Sequence, residues 1–237
     1  MVDEVRYAHT IALKEIGVSG QEKLKNSKVA VIGAGGLASS ALLLLSSMGV
    51  GSITIIDNDV VSLTNLPRQI LYSDSDIGNS KVEVAKKKLE LLNPNVHICA
   101  LNERLEASNA IELLKGHDVI LDCTDNFETK FLIDDTCKEL NIPFVIAGVS
   151  DYQGQVCTCI PMKSQDFKSL FSTLPINIEE KYKLDDFGVY PIAVNTISNI
   201  AANEVVKLLV GFGDLLLDQM LVYNLKTNHF NIIKFPQ

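Results

Sequence analysis

A short β-branched run, Lys28–Ile32 (KVAVI), passes directly into Gly33-Ala34-Gly35-Gly36-Leu37-Ala38 and then into a segment, 37–48, that is apolar nearly all round. Few architectures accept that order. The run is too short for a helix and reads as a buried strand. The glycines let the following turn bring backbone N–H groups close to whatever sits at the helix start. A helix that is apolar on all sides must be covered on more than one of them. Gly49 and Gly51 stop it, and Ser52–Ile56 (SITII) is a second buried strand that closes on Asp57. Together these make one βαβ unit.

The alternation continues. Helical patterns at Lys81–Leu92, 107–114 and Phe127–Leu140 are separated by strand patterns at 96–100, 118–122 and 143–147. Strand and helix in turn predict an α/β fold: a Rossmann-like, mostly parallel sheet with helices on both faces. After Gly148 the pattern changes. Residues 153–160 alternate like an antiparallel strand, 192–209 read as an amphipathic helix, and 221–224 with 230–235 read as a closing hairpin around Lys226-Thr227-Asn228. The sheet is therefore expected to continue with antiparallel strands at its C-terminal end. Residues 1–26 read as a helical arm with Leu13, Ile16 and Leu24 on a sparse apolar face. Residues 27–237 form the main domain, with a long loop at about 161–190 that is functional or mobile.

Composition sets limits on function. Of 237 residues, 21 are basic and 29 acidic, a formal charge of −8. That balance argues against nucleic acid, which needs a positive field. The five cysteines form no CxxC pair, so no zinc is predicted. The N-terminus lacks a basic start followed by an apolar stretch, and the longest aliphatic run, 41–45, is far too short to span a membrane. The expectation is a reduced, cytoplasmic protein with no membrane attachment, its cysteines buried as small apolar groups.

The glycine turn alone is a generic dinucleotide fingerprint, with Asp57 placed to accept both ribose hydroxyls. The segment beyond Asp57 departs from a dehydrogenase. Asp57-Asn58-Asp59-Val60 leads into Thr64-Asn65-Leu66-Pro67-Arg68-Gln69, and Lys81 comes after Ile77-Gly78. A hydride-transfer site has little use for two cations there, whereas a triphosphate does. Leu121-Asp122-Cys123-Thr124-Asp125-Asn126 brings acid to the carboxyl end of the fourth strand, where a carboxylate facing a triphosphate is a natural Mg²⁺ ligand. The candidate site residues are Gly33, Gly35, Gly36, Asp57, Asp59, Thr64, Asn65, Arg68, Gln69, Lys81, Asp125 and Asn126. Arg68, Lys81 and Asp125 are the catalytic candidates.

RYAHTIAL near the start, GAGGLA, TIIDNDVVSLTNLPRQIL, IGNSK, LDCTDN and PFVIAGVSDYQGQV occur in this order. In these motifs, from Arg6 to about Leu225, the chain resembles the MoeB/ThiF/HesA family, the bacterial relatives of ubiquitin-activating enzymes. The resemblance implies a ThiF-type adenylation domain and the use of ATP and Mg²⁺. It implies adenylation of the C-terminal glycine of a small ubiquitin-like, sulfur-carrier type protein (MoaD/ThiS-like) with a Gly-Gly tail, releasing pyrophosphate. It also implies a homodimer. Carried over residue by residue, Gly36 and its neighbours lie under the nucleotide, Asp57 holds the ribose, and Asn65 and Arg68 hold phosphates. Lys81 supports the α-phosphate, and Asp125 binds Mg²⁺ with Asn126 beside it.

Three departures from the family pattern stand out. His9 replaces a second arginine that in the family reaches across the dimer. The two CxxC pairs of many members are missing. Residues 161–191 hold no cysteine for a thioester or persulfide. The long loop is read as a clamp over the carrier's tail, with Phe167, Leu170, Phe171, Leu174, Phe187 and Tyr190 as apolar contacts. Two alternatives remain open from sequence: an NAD-linked oxidoreductase, which leaves Arg68, Lys81 and Asp125 unexplained, and a non-catalytic pairing subunit of an activating enzyme.

Overall fold

A computed structural model of the chain describes residues 3–168 and 188–235. The N-terminal arm carries α1 (Ala8–Ile11) and α2 (Gly17–Asn26). Five parallel strands come next: β1 (Lys28–Ile32), β2 (Ser52–Ile56), β3 (His97–Leu101), β4 (Val119–Asp122) and β5 (Phe144–Ser150). Between them run α3 (Gly36–Ser47), α4 (Lys81–Leu92), α5 (Ala110–Leu114) and α6 (Phe127–Leu140). β6 (Gln153–Cys159), β7 (Gln219–Asn224) and β8 (His229–Lys234) extend the sheet antiparallel, and α7 (Pro191–Val210) lies between β6 and β7 in the chain. The sheet has the order β3-β2-β1-β4-β5-β6-β7-β8. The expected mostly parallel sheet with an antiparallel C-terminal extension is what the chain forms.

Side chains on a strand point alternately to its two faces. Val29, Val31, Ile53 and Ile55 therefore meet α3, α4 and α7 on one side of the sheet. Ala30, Ile32, Ile120 and Phe144 meet α5 and α6 on the other. Each large side chain so covered contributes roughly 1.5–3 kcal/mol, and both layers draw on all the central strands.

α7 has the expected amphipathic pattern, with Asn199 and Asn203 exposed on one side and the rest largely covered. It packs on α3, on the sheet and on α2 together. Ala193, Ser198, Ala201 and Ala202 are nearly fully buried, and their small size allows neighbours to approach on several sides. The Ser198 hydroxyl donates to the Leu37 carbonyl of α3. Glu204, a surface residue by its type, is 1% exposed. Its Oε2 accepts from Thr158 Oγ1 at 2.7 Å and from the Leu216 N–H at 2.9 Å, while Oε1 pairs with Lys207.

The arm packs on the same core. Leu24 is fully buried, and Lys23 Nζ donates to the Val210 carbonyl at 2.5 Å. Leu13, expected on the buried face, is 54% exposed because α1 ends after one turn and the chain re-enters a helix only at Gly17. Tyr7 is buried where Gly49 (φ +80) leaves no side chain in its way, and Asn93 Nδ2 donates to its hydroxyl at 2.8 Å.

Phe167 is not the tail contact expected of it. It is 1% exposed and packs against Phe131 of α6 in the second core layer. The segment leading to it is tied down by backbone donors: Gln165 N–H to Asp218 Oδ1 at 2.7 Å and Lys168 N–H to Asp134 Oδ2 at 2.8 Å. Tyr190 is 38% exposed and lies against Tyr152. Leu170, Phe171, Leu174 and Phe187 lie outside the described residues.

Candidate active site

β1 and β4 are hydrogen-bonded neighbours although β2 and β3 separate them in the chain. Strand order reverses there, so the carboxyl ends of the two strands leave a crevice between loops that turn away in opposite directions. A cavity of about 730 Å³ opens at that point. Its walls include every candidate residue: Gly33, Gly35 and Gly36, Asp57 and Asp59, Thr64 and Asn65, Arg68 and Gln69, Lys81, and Asp125 with Asn126.

The glycine turn forms the floor. Gly33 has φ +88, and a Cβ there would come within 3.0 Å of the Cys123 carbonyl. A Cβ on Gly36 would come within 2.8 Å of Val194 Cγ1 on α7. Side chains are thus excluded, and the backbone itself faces the cavity. Ala34 is held from both ends: its N–H donates to Asp57 Oδ2 at 2.6 Å, and its carbonyl accepts from the Tyr72 hydroxyl at 2.8 Å. Burial first, and the nearby charges of Asp57 and Asp76 second, push the Tyr72 phenol above its ordinary value, so it remains a donor at neutral pH. Asp57 Oδ1 also accepts from the Asp59 N–H at 2.7 Å. Each carboxylate oxygen keeps a second lone pair for a ligand hydroxyl. Tyr72→Phe strands the Ala34 carbonyl, and denaturant unfolding should show a loss of about 1–3 kcal/mol.

The cationic wall is built differently at its two members. Lys81 opens α4 and is 4% exposed, with its Nζ 2.8 Å from Asp59 Oδ2. The Asp59 side chain is 65% exposed, so a buried amine is held at the cavity by a partner that solvent also reaches. Arg68 lies just past the 3₁₀ turn Leu63–Asn65, and its Nη1 donates to the Thr64 carbonyl at 3.1 Å. That bond uses one of the guanidinium's donors and leaves the others for a ligand. Gln69 is 4% exposed, and its Oε1 has no hydrogen-bond partner among the described residues. A buried amide left so beside the glycine turn is a group a polar ligand would satisfy.

The third wall runs on from β4. The Cys123 N–H donates to the Ile32 carbonyl at 2.9 Å, fixing this loop against the glycine turn. Asp125 is exposed toward the cavity. Asn126 acts as the N-cap of α6, its Oδ1 accepting from the Thr129 N–H at 2.9 Å. Among the described residues no group of three or more His, Cys, Asp or Glu is arranged to hold a metal ion. Cys123, Cys137, Cys157 and Cys159 are buried, and burial pushes the Cys123 and Cys137 thiols up. The Cys159 thiol is raised first by its hydrogen bond with Cys157 and then by burial. These are core groups. No helix among the described residues is long and apolar enough to cross a membrane.

Three parts of the site escaped sequence reasoning. Glu103, Arg104 and Leu105, after β3, also line the cavity, as do Val149, Val189 and Val194. Tyr72 supports the floor from behind. The rule that ligands gather at the carboxyl ends of parallel strands would have drawn in the loop after β3. Nothing local marks Tyr72 or the valines.

The comparisons with known proteins agree with this architecture. The model of the ThiF family matches residues 7–237. A probable molybdopterin-synthase adenylyltransferase of Porphyra purpurea is 36% identical over 229 residues, covering 97% of this chain and 60% of the relative. A SAMP-activating enzyme E1 of Haloferax volcanii is 34% identical over 233 residues, covering 97% of this chain and 84% of the relative. This chain thus spans only about three fifths of the Porphyra protein. Among solved structures, E. coli MccB with ATP aligns with a TM-score of 0.86 at 23% identity, over 100% of this chain and 73% of that one, a likeness of fold. With its motifs in order, its walls converging on one crevice and a family match over nearly its whole length, the chain belongs to the ThiF family.

Proposed function

We propose that this chain uses ATP to adenylate the C-terminal carboxylate of a small ubiquitin-like protein of the sulfur-carrier type, releasing pyrophosphate. The observation that carries the reading is the wall pairing a buried, Asp59-held Lys81 with a half-buried Arg68, facing an acidic loop across a side-chain-free glycine turn. Two cations beside a ribose-type carboxylate suit three linked phosphoryl groups. The names of the relatives, adenylyltransferase and activating enzyme, point the same way.

Charge dictates the roles. The incoming nucleophile is already an anion, so no strong base is needed. The obstacle is bringing one anion up to another, and positioning with charge neutralisation is what lowers it. Asp57 accepts the ribose hydroxyls on its remaining lone pairs, and Gly33, Gly35 and Gly36 let backbone N–H groups approach the phosphates. Thr64, Asn65 and Gln69 flank the phosphate chain with Arg68. Lys81, released by Asp59 or shared with it, sits at the α-phosphate. Asp125 is the one carboxylate for Mg²⁺, with Asn126 beside it. That suits an ion which binds through one or two carboxylates and fills its shell with phosphate oxygens and water, and when bound it supplies further charge neutralisation.

In this reading residues 1–26 are an arm and 27–237 the adenylation unit. The protein is a cytoplasmic homodimer, and His9 leaves the trans contact to the neighbouring site weaker than an arginine would make it. The test is ATP–pyrophosphate exchange with a Gly-Gly-tailed carrier, followed by intact mass analysis of the carrier. Exchange that depends on the tail, with a carrier heavier by one AMP, is expected. Exchange that survives removal of the Gly-Gly tail would contradict the assignment.

A further inference from the structure

We infer that Lys130, which does not line the cavity, is a positioning residue: from inside the protein it fixes the Asp122–Thr124 bonding that aims Asp125 into the site. The inference rests on the adenylation reading only for what Asp125 does there.

The bonding is specific. Lys130 Nζ, on α6, donates to Asp122 Oδ2 at 3.1 Å and to the Ala147 carbonyl of β5 at 2.9 Å. The side chains of the pair are 7% and 0% exposed. The other carboxylate oxygen, Asp122 Oδ1, accepts from both the Thr124 N–H, at 2.8 Å, and the Thr124 hydroxyl, at 2.7 Å. Asn126, on the far side of Asp125, is fixed as the cap of α6. Asp125 therefore sits between two tethered neighbours, and none of these bonds goes to Asp125 itself. One ammonium joins the end of β4, the start of α6 and the middle of β5.

Stability alone does not explain this pair. Taking both ions out of water costs several kcal/mol each, and well-packed apolar residues of the same volume often serve a fold as well or better. What an apolar pair cannot do is orient a carboxylate so that its second oxygen holds two donors of the next loop. That loop is the one that carries Asp125, packed against the glycine turn at Gly33. A positioned loop lets Asp125 meet its ligand without first losing conformational freedom.

The test compares wild type with Lys130→Met, Lys130→Arg and the charge-free double variant Asp122→Asn/Lys130→Met, all in the full chain. The double variant is read in place of Lys130→Met if the unpaired Asp122 prevents that variant from folding. Two readouts are used: amide hydrogen exchange of residues 123–126 in the free protein, and the Mg²⁺ dependence of ATP–pyrophosphate exchange. In Lys130→Met the Thr124 amide should exchange at least about tenfold faster, and half-saturating Mg²⁺ should rise roughly 10–100-fold, as for other residues that orient a metal ligand. KM for ATP at saturating Mg²⁺ should stay within about twofold, and Lys130→Arg should restore most of both readouts. A folded variant whose Thr124 amide stays protected overturns the inference, whatever its activity. If Thr124 loses protection while the wild type itself shows no ATP exchange, the positioning role stands and the adenylation reading fails.

Discussion

Arg68→Ala and Lys81→Ala each lower ATP–pyrophosphate exchange by at least about 10²–10³-fold, while the chain still folds. The size is what removing one fixed charge from a developing phosphoryl transition state costs. The surroundings explain the preserved fold. Lys81 is buried, but its partner Asp59 is largely exposed, so losing the amine leaves no charge stranded in the interior. Arg68 is half-buried and donates to the carbonyl of Thr64, an exposed turn residue that water can reach in its place. Exchange rates give the first half of the expectation, and near-UV circular dichroism with thermal unfolding gives the second. A folded Lys81→Ala that exchanges at the wild-type rate would remove Lys81 from the mechanism.

Gly154→Ala is expected to have a large effect on stability. Gly154 lies on β6 beneath α7, and a Cβ there would overlap Ile197 Cγ1. Neither a buried strand nor a helix packed on three sides can retreat cheaply. Overpacking of this kind costs about 3 kcal/mol or more, which for a chain of this length lowers Tm by roughly 6–12 °C. Val194, one turn before Ile197, lines the cavity, so exchange should fall as well. Adding Ile197→Ala to Gly154→Ala should return part of the lost Tm. Calorimetry of the single and double variants checks both halves, and a Gly154→Ala chain melting with the wild type would show that strand and helix have room the packing denies.

Much of the architecture is legible in the sequence because its signals are local. KVAVI, SITII and PFVIA are short apolar runs bounded by turn residues, and β1, β2, α4 and α6 begin and end where the pattern of apolar and polar residues places them. The candidate residues all line one cavity, because the segments that follow β1, β2 and β4 meet there. The misreadings have two physical sources, burial decided by distant partners and a helix shorter than its pattern. Glu204 looks like a surface charge, yet its carboxylate is satisfied inside by Thr158 and Leu216. Phe167 looks like a loop aromatic offered to a partner, yet Phe131 of α6 covers it. Leu13 falls on the wrong side because α1 is a single turn. Lys130 and Asp122 are two more charges in the sequence, and only the meeting of α6 with the end of β4 and the middle of β5 makes them a pair. Asn126 reads as a ligand-facing amide and also turns out to cap a helix.

On the proposed function this crevice takes a triphosphate and not a nicotinamide dinucleotide, although both begin with the same glycine turn. Calorimetric titration of the wild-type chain with ATP and Mg²⁺, and separately with NADH, tests it most directly. Saturable binding of ATP–Mg²⁺ with no heat from NADH is the predicted result. Tight binding of NADH with none of ATP would contradict the account.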